Sequence, residues 1–329
     1  MKTTQALISV ASAAELILSG KTLSIAGDET ALRKLPLGNW IGGTIPYFMA
    51  ANGGTISRDE VFVTEVSDFE STPQLRFYDE GSLAQICRNA PENGYSVVII
   101  PAFSACHANF AANAPNYEDM YMKPLIGWIA GVHLDDLGKI KPKVVLGTTG
   151  EFSEENTVVM DVTLPLEKFA QIDIVNLFRP GNGPGITFDD TGFSAGACQI
   201  DGAPANLADY LLDNGIDTRL PLVADYSGAM INVSIKGIER SSKRVEFYAP
   251  VFPGVEYRVA APISDYHDAI ETALPKLNDE IAFSCNCILN FLYSDLEGKR
   301  TGHITGPMTF GEIGYQLLNQ TMVFLTVGD

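Results

Sequence analysis

The sequence predicts a mixed α/β (α+β) protein: two layered domains whose mixed or antiparallel sheets are flanked by helices. Three observations lead there. The length of 329 residues fits about two domains at roughly 150 residues each. Short β-branched runs interleave with helix-spaced segments in both halves. In the second half, alternating runs are joined by short polar or Pro/Gly turns. That texture belongs to antiparallel strands and excludes a purely parallel, doubly wound sheet. The boundary is expected between about Asp161 and Gly185, giving residues 1–170 and 171–329.

Taken in order, Leu7, Val10, Ala11, Ala14 and Ile17 or Leu18 fall at helical spacing, so Ala6–Leu18 is expected to be an amphipathic helix. Glu15 interrupts it and no small-x-small cleavage site follows, which argues against a signal peptide. Thr22–Gly27 reads as a strand, Leu35–Tyr47 as a structured loop, and Val61–Val66 as a strand. Leu83, Ile86 and Cys87 form the apolar face of a short helix. Ser96–Ile100 is a continuous apolar run, as a buried strand requires. Met122–Val132 is apolar with two glycines, and Val144–Leu146 and Thr157–Val162 read as strands.

Gly181–Gly185 is a turn-rich break. Ala197–Ile200 reads as a strand and Ala205–Leu212 as a helix. Ile231–Ile235, Arg244–Tyr248 and Val255–Val259 suggest a meander. Ser264 is expected to cap a helix bearing Tyr266, Ile270, Ala273, Leu274 and Leu277, with Pro275 near its end. Ile281–Cys285 should be a strand entering a helix, Ile288–Leu296. A Gly-rich segment, Gly302–Gly314, and a final strand, Met322–Val327, complete the reading.

Composition narrows the function. Hydrophobic residues make up 46% and charged residues 19%, which suits a packed core and excludes disorder as the main state. The 22 basic and 40 acidic residues leave a net charge of -18. No more than two basic residues stand together, so nucleic acid and anionic membrane are poor partners. No apolar window is long enough to span a bilayer. Five cysteines without framework spacing fit a reducing compartment, and a cytoplasmic location is expected.

Chemical motifs are sparse. No complete Walker loop is present. Gly181, Gly183 and Gly185 lack a strand-to-helix turn, and Pro184 removes an amide donor. Cys285 and Cys287 would share one face of a strand, but two thiolates do not close a zinc site. Cys106-His107 follows a buried strand, where a haem ligand or reactive thiol could stand. Cys285 with His303 or Glu312 is a conceivable nucleophilic arrangement. Two Gly-rich segments weigh more. Gly38–Met49 pairs glycines with Trp40, Tyr47 and Phe48, a mixture that small-ligand pockets use. Gly306–Gly314 sets Glu312 between glycines, able to take an ammonium or hydroxyl.

The closing region resembles the FIST sensory domain. The resemblance rests on Phe283-Ser284-Cys285 and on Gly306 through Phe310-Gly311-Glu312-Ile313-Gly314, with Ile200-Asp201-Gly202-Ala203-Pro204-Ala205, Tyr210 and Val251-Pro253-Gly254-Val255 upstream. It covers about Ile174 to Val327. In the first half, Ile41-Gly42-Gly43-Thr44 resembles the family's glycine loop, followed by Ile45-Pro46-Tyr47-Phe48 rather than Gly-Glu. Asn286-Cys287 stands where the family usually has Gly-Arg. The resemblance implies FIST N-like and C-like domains and a ligand-sensing module. Its ligand would be small, its output would pass to a separate signalling partner, and no cofactor is required.

The expected site lies between the domains, with Gly42, Gly43, Thr44 and Tyr47 from the first half. From the second come Ser284, Cys285, Asn286, Gly311 and Glu312. The glycines would supply backbone donors, Tyr47 an aromatic wall, and Glu312 a carboxylate. Ligand would favour a closed arrangement that the partner recognises. The alternatives are a haem-based gas sensor using His107 or, second to it, His133, and an enzyme dependent on Cys285.

Overall fold

A computed structural model describes residues 4–66, 72–226, 229–275 and 280–329. The expected helical position Leu277 lies outside them. Strand dominates over helix, 43% to 18%, so the core is built from sheets with helices as covers. The content is mixed α/β, with parallel and antiparallel pairs in the same sheets.

The chain forms two compact units, and they do not follow the expected partition at residue 170. Unit 1 is 1–175, 274–317 and 322–329; unit 2 is 176–273 and 318–321. The first crossing, between Val175 and Asn176, falls inside the expected window. The correction concerns the C-terminal segments. Met322–Gly328 pairs with Phe169–Val175 on one side and Ile281–Cys287 on the other, and all but one of its residues are buried. A strand buried on both faces belongs to the core it completes.

Unit 1 contains three parallel strand pairs, each crossed by a helix. Thr22–Gly27 and Trp40–Thr44 flank Glu29–Leu32. Gly94–Pro101 and Leu125–Ala130 flank Ala105–Asn113. Ile281–Cys287 and Gly306–Thr309 flank Ile288–Tyr293. Parallel neighbours require such a crossover. Antiparallel strands extend each pair. The first sheet runs Gln5–Ser9, Glu60–Val66, Thr22–Gly27, Trp40–Thr44, Val144–Leu146, Glu151–Ser153. In the second, Glu312–Gly314 leads to Leu125–Ala130, Gly94–Pro101, Thr157–Thr163 and Gln74–Tyr78. The third runs Phe169–Val175, Met322–Gly328, Ile281–Cys287, Gly306–Thr309, Tyr47–Ala50, Gly53–Ile56.

Two expectations in this unit change. Residues from Gln5 to Ser9 form a strand, and the helix begins only at Val10, with Ser9 as its cap. The expected loop Leu35–Tyr47 contains the fully buried strand Trp40–Thr44. Its glycines are demanded by packing. A Cβ on Gly43 would lie 2.7 Å from Ile99 and 2.8 Å from Trp128, and one on Gly42 2.9 Å from the Ile25 carbonyl.

Unit 2 is antiparallel throughout its described ladders. One sheet runs Ala203–Asn206, Ala197–Ile200, Ile186–Thr187, Tyr257–Val259, Leu222–Tyr226, Ala229–Val233. A smaller one sets Arg244–Val251 between Gly192–Ala195 and Ile235–Glu239. The strands thus alternate between two sheets instead of forming one meander. Ile186, Leu222 and Tyr257 from one sheet, and Ile235, Val245 and Phe247 from the other, close the core with Leu207 and Leu211 of helix Leu207–Asp213. The helix Tyr266–Ala273 is capped by Asp265, whose Oδ1 accepts from the amides of His267 and Asp268, rather than by Ser264.

Candidate functional site

The nine expected ligand residues, with His107 and His133, all belong to unit 1. The two Gly-rich segments do meet, as neighbouring strands: Gly306 pairs with Met49 and Pro307 with Phe48. This contact is core packing. Gly42 and Gly43 lie in a strand paired on both sides, with Thr22–Gly27 and Val144–Leu146. Their amides serve the sheet and not a ligand.

Ser284, Cys285, Asn286 and Glu312 are buried in the same core. The Ser284 hydroxyl lies 2.6 Å from the Thr305 carbonyl and 3.0 Å from Gln5 Oε1. Asn286 Oδ1 accepts from Cys287 N and from Asn290 Nδ2. Glu312 is 0% exposed, pairs along the backbone with Trp128, and has the Thr309 hydroxyl at 3.4 Å. Gly311 gives its carbonyl to the Ile129 amide. Cys285 donates to the Gly127 carbonyl, and burial pushes its thiol well above the usual range, with Glu312 and Cys287 adding to the shift. A nucleophilic thiol needs the opposite environment, so the alternative of a Cys285-dependent enzyme does not fit. Among the described residues no group of three His, Cys, Asp or Glu could hold a metal ion.

Haem at His107 does not fit either. His107 is in the helix Ala105–Asn113, capped by Ser104, and not in a loop. Its Nδ1 accepts from the Phe103 amide at 3.2 Å. It is buried, which lowers its pKa to about 4, and it does not line the cavity described next. A cofactor of haem's size needs a pocket of several hundred Å3.

Two fragments of nucleophile and phosphate-loop motifs have structural roles. Gly192-Phe193-Ser194-Ala195-Gly196 spells G-x-S-x-G. Ser194 lies within a strand that leads into another strand, without the strand-to-helix elbow that exposes a nucleophile. Its hydroxyl and carbonyl both accept from Arg244. Gly20-Lys21-Thr22 joins a helix to a following strand, the reverse of a phosphate loop, and Lys21 pairs with Glu65 at 2.8 Å.

A cavity of about 180 Å3 opens where strands end. Thr22–Gly27, Trp40–Thr44 and Leu125–Ala130 deliver Asp28 and Glu29, Thr44 and Ile45, and Gly131 to His133 into its wall. These are the carboxyl ends of strands in parallel pairs, where α/β folds place ligand crevices. Three backbone bonds tie the strand ends together: Ile45 N to Gly27 O, Thr44 N to Lys143 O, and Gly131 N to Thr44 O at 2.7 Å. Thr30, Arg33, Pro46, Arg58, Asp136 and Ile140 complete the lining.

Charge is distributed unevenly around this wall. Asp28 caps the short helix Glu29–Leu32, its Oδ1 accepting from Thr30 N and Thr30 Oγ1. Glu29 is held by Arg33 at 2.6 Å and Lys143 at 2.6 Å. Burial alone would raise the Glu29 pKa, and the two cations outweigh it and bring it below its ordinary value. Arg58 reaches Asp136 at 2.8 Å and Asp28 at 3.5 Å. The Thr44 hydroxyl accepts from Lys143 N at 2.9 Å.

Tyr47 stands behind the wall. It stacks on His133 with ring centroids 5.5 Å apart, and its hydroxyl accepts from Leu134 N. Desolvation raises its pKa, with Asp135 adding to the shift, so it remains a neutral phenol. His133 Nδ1 accepts from Asp135 N, which leaves the ring proton of the neutral form on Nε2. Of the nine expected ligand residues, Thr44 lines the cavity and Tyr47 positions its wall. Asp28, Arg58, His133 and Asp136 were not among them. The available signal was position: Asp28 and His133 are the first ionisable residues after apolar strands.

Fold and cavity together define a mixed α/β protein with a small polar pocket at strand ends. Residues 8–328 match the model of a family of unknown function, DUF6976, and the chain belongs to that family. No curated protein and no solved structure matches. Nothing in the family's description links it to the FIST domain. Among the described residues, no helix is long and apolar enough to cross a membrane.

Proposed function

We propose that this chain is a small-ligand-binding module whose site is the cavity at the ends of Thr22–Gly27, Trp40–Thr44 and Leu125–Ala130. The observation that carries the reading is the convergence of Asp28, Arg58, His133 and Asp136 on one concavity. They come from three segments far apart in sequence: Asp28, Arg58, and the turn that holds both His133 and Asp136. Few convergent polar groups in a concave site are the mark of ligand recognition. An apolar cavity of about 150 Å3 holds benzene. The volume of about 180 Å3 therefore suits a ligand of roughly six to nine non-hydrogen atoms.

A role as a cytoplasmic sensor that signals through a separate partner follows from the FIST resemblance. The cavity is compatible with it: the ion pairs of Arg58 and Lys143 join separate segments, so a ligand that re-sorts them changes how those segments are held. The test is a thermal-shift screen with small ammonium, carboxylate and polyol probes on the wild type and on Ile140→Trp. Ile140 is exposed at the cavity wall, so a tryptophan there narrows the space without entering the core. A probe that stabilises the wild type and not the variant supports the reading. Equal shifts in both proteins place binding elsewhere.

A further inference from the structure

We propose that the ligand of this cavity carries a compact cation, of the primary-ammonium class, and that it takes the seat of Arg58 between Asp28 and Asp136. The proposal rests on the cavity being a ligand site and names the chemistry that the site selects.

The chain itself supplies a cation at this seat. The Arg58 guanidinium, tethered in the turn between strands Gly53–Ile56 and Glu60–Val66, lies against Asp136 at 2.8 Å and only loosely against Asp28 at 3.5 Å. The two carboxylates are well covered, with side-chain exposures of 13% for Asp28 and 22% for Asp136, whereas Arg58 is 43% exposed. The anions are thus built into the wall and the cation is the more exposed partner.

Charge balance points the same way. Beside this seat, Glu29, Glu154 and Glu155 are matched one for one by Arg33, Lys143 and Lys141. Asp28 and Asp136 share one guanidinium, which leaves that trio one negative charge in excess. Two carboxylates converging on a single cation retain acceptor capacity for a second one. An anionic ligand would have to pull Arg58 away from both carboxylates against that excess. A small ammonium can sit beside Arg58 or replace it, and the net charge of -18 concentrates cations near the surface.

The two cases differ in the sign of one variant. For a cationic ligand, Arg58 competes, so Arg58→Met should tighten binding. For an anionic ligand, Arg58 recognises, so the same change should abolish it. The experiment titrates n-propylammonium chloride and, separately, sodium acetate into the 15N-labelled full chain, at constant ionic strength. The amides of Thr30 and Gly131 are the reporters. Propylammonium should bind, acetate should not, and Asp136→Asn and Asp28→Asn should each weaken binding about fivefold or more. Arg58→Met should strengthen it by up to about fivefold, and Arg58→Lys, the conservative control for folding, should stay near wild type.

Acetate binding that Arg58→Met abolishes overturns the cation proposal and leaves the cavity standing. Propylammonium binding that is indifferent to Asp28, Asp136 and Arg58 also overturns it. If no probe of any charge class responds to Ile140→Trp, the cavity reading itself fails.

Discussion

The Cys285 thiol donates to the Gly127 carbonyl at 3.3 Å. The bond joins the strand Ile281–Cys287 to the strand Leu125–Ala130, which belong to different sheets of unit 1. Cys285 is therefore a core residue, and its chemistry should be inert. All five cysteines are buried and none is in a disulfide, and burial raises the Cys87 thiol to about 11, with Asp119 adding to the shift. Titration of the native protein with a thiol-reactive chromophore at pH 7.5 should show no rapid phase. Five thiols should react after unfolding in guanidinium. Fast stoichiometric labelling of Cys285 in the native state would contradict this account.

Gly127 also sets the spacing to the neighbouring strand of its own sheet. A Cβ there would lie deep inside van der Waals contact with the Val98 carbonyl oxygen of the parallel neighbour. Backbone cannot yield as a side-chain tip can, so Gly127→Ala should cost about 3 kcal/mol or more, measured by urea unfolding. Gly237, on strand Ile235–Glu239, meets nothing within 4 Å. Gly237→Ala should change stability by less than about 1 kcal/mol, in the stabilising direction.

His107 gives the fold a pH dependence. Buried and neutral, it has a native pKa of about 4 against 6.5 for the exposed residue. The unfolded chain binds the extra proton first, so stability is complete above pH 6.5 and is lost as pH falls from 6.5 to 4. The loss at this group is on the order of 3 kcal/mol. In His107→Asn the side-chain oxygen takes the place of Nδ1 and can still accept from Phe103 N, and the ionisation is gone. Urea unfolding at pH 7, 5.5 and 4.5 should show the variant gaining on wild type as pH falls. A constant difference between the two would place His107 in a more solvated site.

Much of the strand framework was legible because apolar runs bounded by turn residues have few alternatives. Ser96–Ile100 lies inside the fully buried strand Gly94–Pro101, and Val144–Leu146 is a strand with the expected bounds. Gln5–Ser9 was hidden because its apolar residues continue the helical spacing of Val10–Leu18. Trp40–Thr44 was hidden because glycine reads as a loop signal, whereas here the missing side chains make room for Trp128 and Ile99. The site was less legible. Glu312 attracted attention as a carboxylate between glycines, yet its strand pairing buries it. Asp28, Arg58 and the His133–Asp136 turn are three segments that only tertiary packing joins, and isolated residues at strand ends carry no spacing pattern.

Thr44 links the cavity to the fold. Its hydroxyl accepts from Lys143 N, while Lys143 Nζ holds Glu29. Thr44→Val keeps the shape and removes the acceptor, so it should cost about 1 kcal/mol in urea unfolding. The Tyr47–His133 stack should be unaffected, since Tyr47 is anchored through Leu134 N, and its near-ultraviolet circular dichroism should match wild type.

The central claim is that ligand binds at the strand ends lined by Asp28, Thr44, Arg58, His133 and Asp136, and not at the Gly-rich strands around Glu312. The most direct measurement is an amide chemical-shift map of the full chain with n-propylammonium chloride. The account predicts shifts at Thr30, Ile45, Gly131 and Asp136, with Ser284, Gly311 and Ile313 unmoved. Shifts centred on Gly311, Ile313 and Ser284, with Thr30 and Gly131 silent, would contradict it.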